Sequence, residues 1–145
     1  MEGWRRQPWH AKPNARIFSM RQLEGLEGLG LARSKEYPGA FGIEFLLQPA
    51  GVPRRKVRIF FNDYTPHVHV DGPGESPHRW ANGALCLSYP DDPPEAKWKL
   101  RDGLQRLVAD VGAHLIKEEW WRLVGEWPGP EMPHGRLASR GSRRS

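Results

Sequence analysis

The single cysteine of the 145-residue chain, Cys86, lies in the stretch HRWANGALCLSYP, between Leu85 and Leu87. A lone cysteine flanked by leucines suits a packed interior, because a free thiol behaves as a small hydrophobe. The residues before it change that reading. Asn82-Gly83 marks a turn, since both residue types tolerate positive φ, and a thiol three residues beyond a turn stands at the edge of a loop. The chemistry open to it is that of a thiolate nucleophile, which needs a nearby base or a pKa brought below about 8.5. His78 and Arg79 precede it, and Asp91, Asp92 and Lys97 follow it. No protease signature surrounds it.

Two other constellations compete. His67, His69, His78, Cys86 and His134 are all metal-ligating types, and HVHV puts His67 and His69 on one face of a strand. A zinc isopeptidase pattern would continue with a serine and an aspartate, but those positions hold Pro77 and Trp80. The pair reads instead as two histidines on a partly exposed strand, and no metal ligand is assigned. The stretches RKVRIFF and KEEWWR interleave basic and aromatic residues, as single-strand nucleic-acid platforms do. Both fit ordinary amphipathic elements, and Glu118 and Glu119 in the second oppose phosphate.

The elements that must position these residues follow from spacing. Residues 1–15 read as an irregular lead-in. Ser19 with Gln22 fits a capping box, and Leu23, Leu26 and Leu29 then predict a helix, weakened by Gly25, Gly28 and Gly30. FGIEFLLQP, KVRIFF and HVHV predict three clear strands joined by turns at AGVPR and NDYTP. A long turn-rich stretch, DGPGESPHRWANG, leads to Cys86. Leu100, Leu104, Leu107, Val108, Val111, Leu115 and Ile116 then carry the strongest helical pattern, as one helix or as two divided at Gly112, with Gly125 as its cap. Strands joined by short turns favour an α+β fold: an N-terminal helix, a short antiparallel meander, a loop bearing Cys86 and a long C-terminal helix or helix pair.

Composition narrows the class. Sixteen glycines and fourteen prolines, about a fifth of the chain, predict many turns. The net charge of +5 is concentrated in the last ten residues, RLASRGSRRS, which hold four arginines and no acid. A solvated basic tail over 135–145 accounts for it, so nucleic acid is not an expected partner. No apolar run reaches the ~20 residues that span a bilayer, no signal-peptide pattern opens the chain, and one cysteine forms no internal disulfide. A cytoplasmic protein without a membrane partner is expected.

Taken in order, these residues resemble ubiquitin-conjugating enzymes, and more closely their prokaryotic relatives, over residues 16–134. NDYTPHVHV is similar to the family's Tyr-Pro turn before the last strand, through Tyr64, Pro66 and Val68. HRWANGALCL is similar to the His-Pro-Asn stretch that leads through a turn to the Cys-Leu nucleophile. Trp98 matches the tryptophan after the active site, and GEWPGPEMPH the Gly-x-Trp…Glu-x-x-His ending of bacterial members. The resemblance implies that Cys86 carries a protein C-terminus as a thioester and passes it to an amine, normally a target lysine. It implies His78 and Asn82 as candidates for loop geometry or oxyanion contact, and Asp91 and Asp92 for orienting or deprotonating the amine. Bacterial relatives often occur in antiphage operons, CBASS among them. The donor is then a ubiquitin-like protein or the C-terminus of a CD-NTase, with or without a separate activating enzyme, and no cofactor is called for. The departures are also visible: His78-Arg79-Trp80 replaces His-Pro-Asn, the gap from Cys86 to Trp98 is long, and only three strands are clear where the eukaryotic enzymes have four. A non-catalytic interaction module of the same fold and a histidine-based metal-binding protein are the alternatives.

Overall fold

The computed structural model describes residues 8–62, 65–72, 76–80, 82–85, 87, 93 and 97–128. Alternation in the strands decides where its core lies. Four antiparallel strands, β1 (Leu29–Tyr37), β2 (Ala40–Leu47), β3 (Arg55–Phe61) and β4 (Pro66–Val70), pair in chain order. Phe41, Ile43, Phe45 and Leu47 of β2 are buried, as are Val57, Ile59 and Phe61 of β3 and Val68 and Val70 of β4. The register sets Ile43 opposite Ile59 and Ile59 opposite Val68, so the inward side chains align across three strands. Leu104, Leu107, Val108, Val111 and Leu115 of helix α2 (Gly103–Val124) complete the same core. The class is α+β, a four-stranded antiparallel sheet with a short helix before it and a long one after.

The N-terminal helix differs from its expectation. Helix α1 spans Pro13–Arg21, with proline at its first turn, and Ser19 is a fully buried residue inside it rather than its cap. The leucines spaced by three lie beyond its end. Gly25 and Gly28 adopt φ of 79° and 81°, and a Cβ at Gly28 would stand 2.7 Å from the carbonyl oxygen of Gln48. Gly25 and Gly28 are turn residues, and Leu29 opens a strand that also takes in Gly30. Gln22 is still a cap, but of the other helix: its Oε1 accepts from the Leu104 backbone N–H at 2.7 Å, and its carbonyl accepts from Gln105 Nε2 at 3.3 Å.

The lead-in also contributes structure. A 3-10 turn at Trp9–Ala11 buries Trp9 and His10, and the Trp9 ring meets Phe41 and Phe61 edge-on at 5.9 and 5.1 Å. The strand not clear from sequence is β1. As an edge strand reading LGLARSKEY, mostly exposed and irregular in register between Gly30 and Arg33, it lacks the apolar alternation of its neighbours. Gly112 does not divide α2, which runs unbroken past Pro49, 3.9 Å from where its Cβ would stand. Gly125 at φ 85° closes the helix, its N–H bonded to the Trp121 carbonyl.

Candidate active-site loop

The stretch before Cys86 is turn-rich in sequence, yet it is fastened at three levels. Deepest is Arg79. Its side chain is 4% exposed and its Nε and Nη2 each donate at 2.8 Å to the two oxygens of Glu118 on α2, itself 3% exposed. Arg79 Nη1 also donates to the carbonyls of Val70 and, at 3.2 Å, Gly83. One guanidinium thus joins the end of β4, the turn after it and the long helix. Its planar fork is suited to this, being permanently charged and rigid in its donor geometry. Burial alone would raise the Glu118 pKa, but the hydrogen bonds from Arg79 and the charges of Arg79 and His114 outweigh it, so the carboxyl is held below its ordinary 4.5.

The second level is the turn. Gly83 takes φ 90°, its N–H donates to the Trp80 carbonyl at 2.8 Å, and the Trp80 N–H donates to the Ala84 carbonyl at 2.8 Å. Asn82 Oδ1 accepts from the Ala84 N–H at 3.0 Å, closing an Asx turn. At the third level the chain returns to the sheet. Ala84 bridges His69, Leu85 bridges Arg79, and the Leu85 N–H donates to the Val68 carbonyl at 2.9 Å. Residues 84 and 85 thereby extend the sheet beyond β4, and Leu85 is buried.

His78 is 4% exposed and lies against Trp127, ring centres 4.1 Å apart, while His114 of α2 meets the same indole at 5.3 Å. The chain after α2 therefore packs under the loop. Trp98 stands at the approach to α2, its Nε1 donating to the Gly103 carbonyl at 2.7 Å and its ring 5.6 Å from Phe61. Between these elements opens a cleft of about 490 Å³, walled by Val68, Trp80, Leu85, Leu87, Trp98 and Leu107, with His67, Lys97, Arg106 and Asp110 as polar lining. Arg106 and Asp110 pair at 3.4 Å on successive turns of α2.

Of the residues singled out by sequence, Cys86, Asp91 and Asp92 lie outside the described residues, as do Tyr64, Glu131 and His134. Both chain neighbours of Cys86, Leu85 and Leu87, line the cleft; His78 and Asn82 do not, and serve the loop's shape. His67 and His69 share the outer face of β4, and His69 lies edge-on to Phe60 at 6.0 Å. Among the described residues no group of three or more His, Cys, Asp or Glu is placed to hold a metal ion. Sequence reasoning missed the Arg79–Glu118 pair, although a signal was present: Glu118 continues the buried stripe Val111, Leu115 of α2, where a carboxylate needs a cationic partner. Among the described residues no helix is long and apolar enough to cross a membrane. Comparison with family models, curated proteins and solved structures finds no match to the chain.

Proposed function

We propose that the protein is an acyl transferase of the ubiquitin-conjugating type, with Cys86 as the thioester-forming nucleophile. The observation that carries this reading is the anchored hairpin: a turn held by Asn82 and Arg79 delivers the chain to Cys86, whose neighbours Leu85 and Leu87 line a cleft. The order of helix, four-stranded meander, loop, Trp98 and long helix agrees with the ubiquitin-conjugating-like fold, and four strands remove one departure noted in the sequence. A cleft beside an anchored turn offers a place for the extended C-terminal tail of a protein donor.

The thiolate of Cys86 attacks the C-terminal carbonyl of the donor, presented as a thioester or adenylate by a separate activating enzyme. A new S–C bond forms and the activating thiolate or AMP leaves. The nitrogen of a target lysine then attacks this carbonyl, the N–C bond forms, the S–C bond breaks, and the amine loses a proton. Positioning supplies much of the rate, because the thioester is already activated. Asp91 and Asp92 are the candidate amine-orienting groups. The donor is a ubiquitin-like protein or the C-terminus of a CD-NTase in a bacterial antiphage system, where the reaction would prime that partner.

The test is a non-reducing gel after incubation with the activated donor. A reductant-sensitive adduct is expected, lost in Cys86→Ala and converted to a reductant-resistant ester in Cys86→Ser. An adduct that persists in Cys86→Ala overturns the assignment and leaves the fold as a non-catalytic interaction module.

A further inference from the structure

The face of the sheet turned away from α2 is built differently from the face that packs on it. Tyr37 on β1, Phe60 on β3 and His69 on β4 form a row of rings, with centres 6.3 Å apart for the first pair and 6.0 Å for the second. Tyr37 and Phe60 sit on strands that are not neighbours. They approach because β2 carries Gly42 between them; a Cβ there would meet the Tyr37 ring at 3.3 Å and the Phe60 ring at 3.4 Å. Arg33, Lys35, Lys56 and Arg58 alternate onto the same face, opposed by one acid, Glu44, which is already paired with Arg33 at 2.8 Å and Lys56 at 3.0 Å. Lys35 and Arg58 make no ion pair among the described residues, and Lys35 Nζ stands 5.4 Å from the centre of the Tyr37 ring. A shallow depression of about 440 Å³ opens among Arg33, Lys35, Tyr37, Gly42, Arg58 and Phe60.

We propose that this face binds single-stranded nucleic acid, its bases stacking on Tyr37 and Phe60 and its phosphates meeting Lys35 and Arg58. Neither half of that recognition would need the other element: rings alone would suit an apolar partner, and cations alone any polyanion. Rings in a row flanked by cations are the arrangement that a strand with alternating π faces and phosphates satisfies. The sequence argued against it on the acids of KEEWWR. The fold removes that objection, since Glu118 is buried against Arg79 on α2, and α2 packs on the other side of the sheet. His69 adds a third ring; burial first, then the charges of Arg58 and His67, hold its pKa below the ordinary 6.5, so it is neutral at pH 7.

The experiment is fluorescence anisotropy of a labelled oligothymidylate of about twelve nucleotides, within the site sizes known for stacking platforms, titrated with the full chain in low salt of about 50 mM. Saturable binding is expected, at least tenfold tighter than to a duplex of equal length. Phe60→Leu, which keeps apolar bulk but removes the ring, should weaken it about tenfold, and Phe60→Trp should restore it. Lys35→Glu with Arg58→Glu should weaken binding further and flatten its salt dependence. Tyr37 is 39% exposed, so Tyr37→Leu gives the same readout without touching the core should Phe60→Leu fail to fold. Absence of binding overturns the proposal. So does binding indifferent to the ring variants, which would be the charge of the arginine-rich tail, and so does preference for an oligoglutamate peptide, which would mark an acidic protein partner.

Discussion

Two carboxylates in this molecule are held by basic side chains, Glu118 by one and Glu44 by two, and they do opposite things. Glu118 on α2 is 3% exposed and gripped by Arg79 under the loop that leads to Cys86. Glu44 on β2 stands on the open face of the sheet, with Arg33 and Lys56 reaching it from the strands on either side. Both have pKa values below the ordinary 4.5: Glu44 through hydrogen bonds from Lys56 and then Arg33, Glu118 through hydrogen bonds that overcome a burial penalty. The difference is what water can replace. Around Glu44 solvent resolvates each charge when the other leaves; under the loop nothing does, so the pair fixes geometry.

Breaking the buried pair should have the largest effect. Arg79→Ala leaves the Glu118 carboxylate, and the Val70 and Gly83 carbonyls, without their donor, and a loss of about 3–5 kcal/mol is expected in urea unfolding followed by tryptophan fluorescence. The double variant Arg79→Met/Glu118→Leu should recover most of that stability, because apolar residues of similar volume replace such pairs at little cost. It should not recover thioester formation, since the carbonyls that Arg79 holds in place would still lack it. Recovery of both would show that the pair serves stability alone. Gly72 gives a subtler break. A Cβ there would collide with the Arg79 guanidinium, which its own bonds hold in place, so Gly72→Ala should cost about 1–3 kcal/mol and slow adduct formation.

Acid separates the same two carboxylates. Because the folded pKa of Glu118 is depressed, its contribution is fully present above the unfolded value near 4.5 and is lost as pH falls through the lower folded value. Protonating Glu118 leaves the buried guanidinium of Arg79 without its counterion. Stability of the parent should therefore fall steeply below about pH 4.5, measured as urea midpoints over a pH series. In Glu118→Gln the parent's advantage at pH 7 should be gone and the fall below that pH shallower. An unchanged slope would assign the acid sensitivity to other carboxylates.

Much of this architecture can be read in the chain, and each exception has its own cause. Strands β2 to β4 and α2 announce themselves because their inward residues, Phe41 to Leu47, Val57 to Phe61 and Leu104 to Leu115, keep the period of their element. Helix α1 is misplaced by a short stretch, because Leu23, Leu26 and Leu29 happen to be spaced by three while Gly25 and Gly28 turn the chain between them. Strand β1 has little apolar signal to give, being an exposed edge. At the candidate site, the Asn82-Gly83 turn is a local signal and is legible. The Arg79–Glu118 bond joins residues 39 apart in sequence, and no local pattern in HRWANG announces a partner on a helix not yet formed. Arg79, which stands where the resembled motif has proline, is the residue that holds the loop.

The weaker contacts sharpen the comparison from the other side. Asn82→Ala removes one Asx acceptor but leaves Gly83 and the Trp80–Ala84 hydrogen bonds, so about 1 kcal/mol should be lost, with the larger consequence in adduct rate than in folding. Glu44→Gln should leave the urea midpoint unmoved within error. Its partners Arg33 and Lys56 are 74% and 49% exposed and return to water when the carboxylate is neutralised, so no buried charge is stranded. That same substitution makes the outer face more positive, so the oligothymidylate should bind more tightly to Glu44→Gln than to the parent, while Cys86 thioester formation is unaltered. A stability loss in Glu44→Gln comparable to that of Glu118→Gln would erase the distinction between the two carboxylates, and with it the claim that burial makes the Arg79 pair a positioning device.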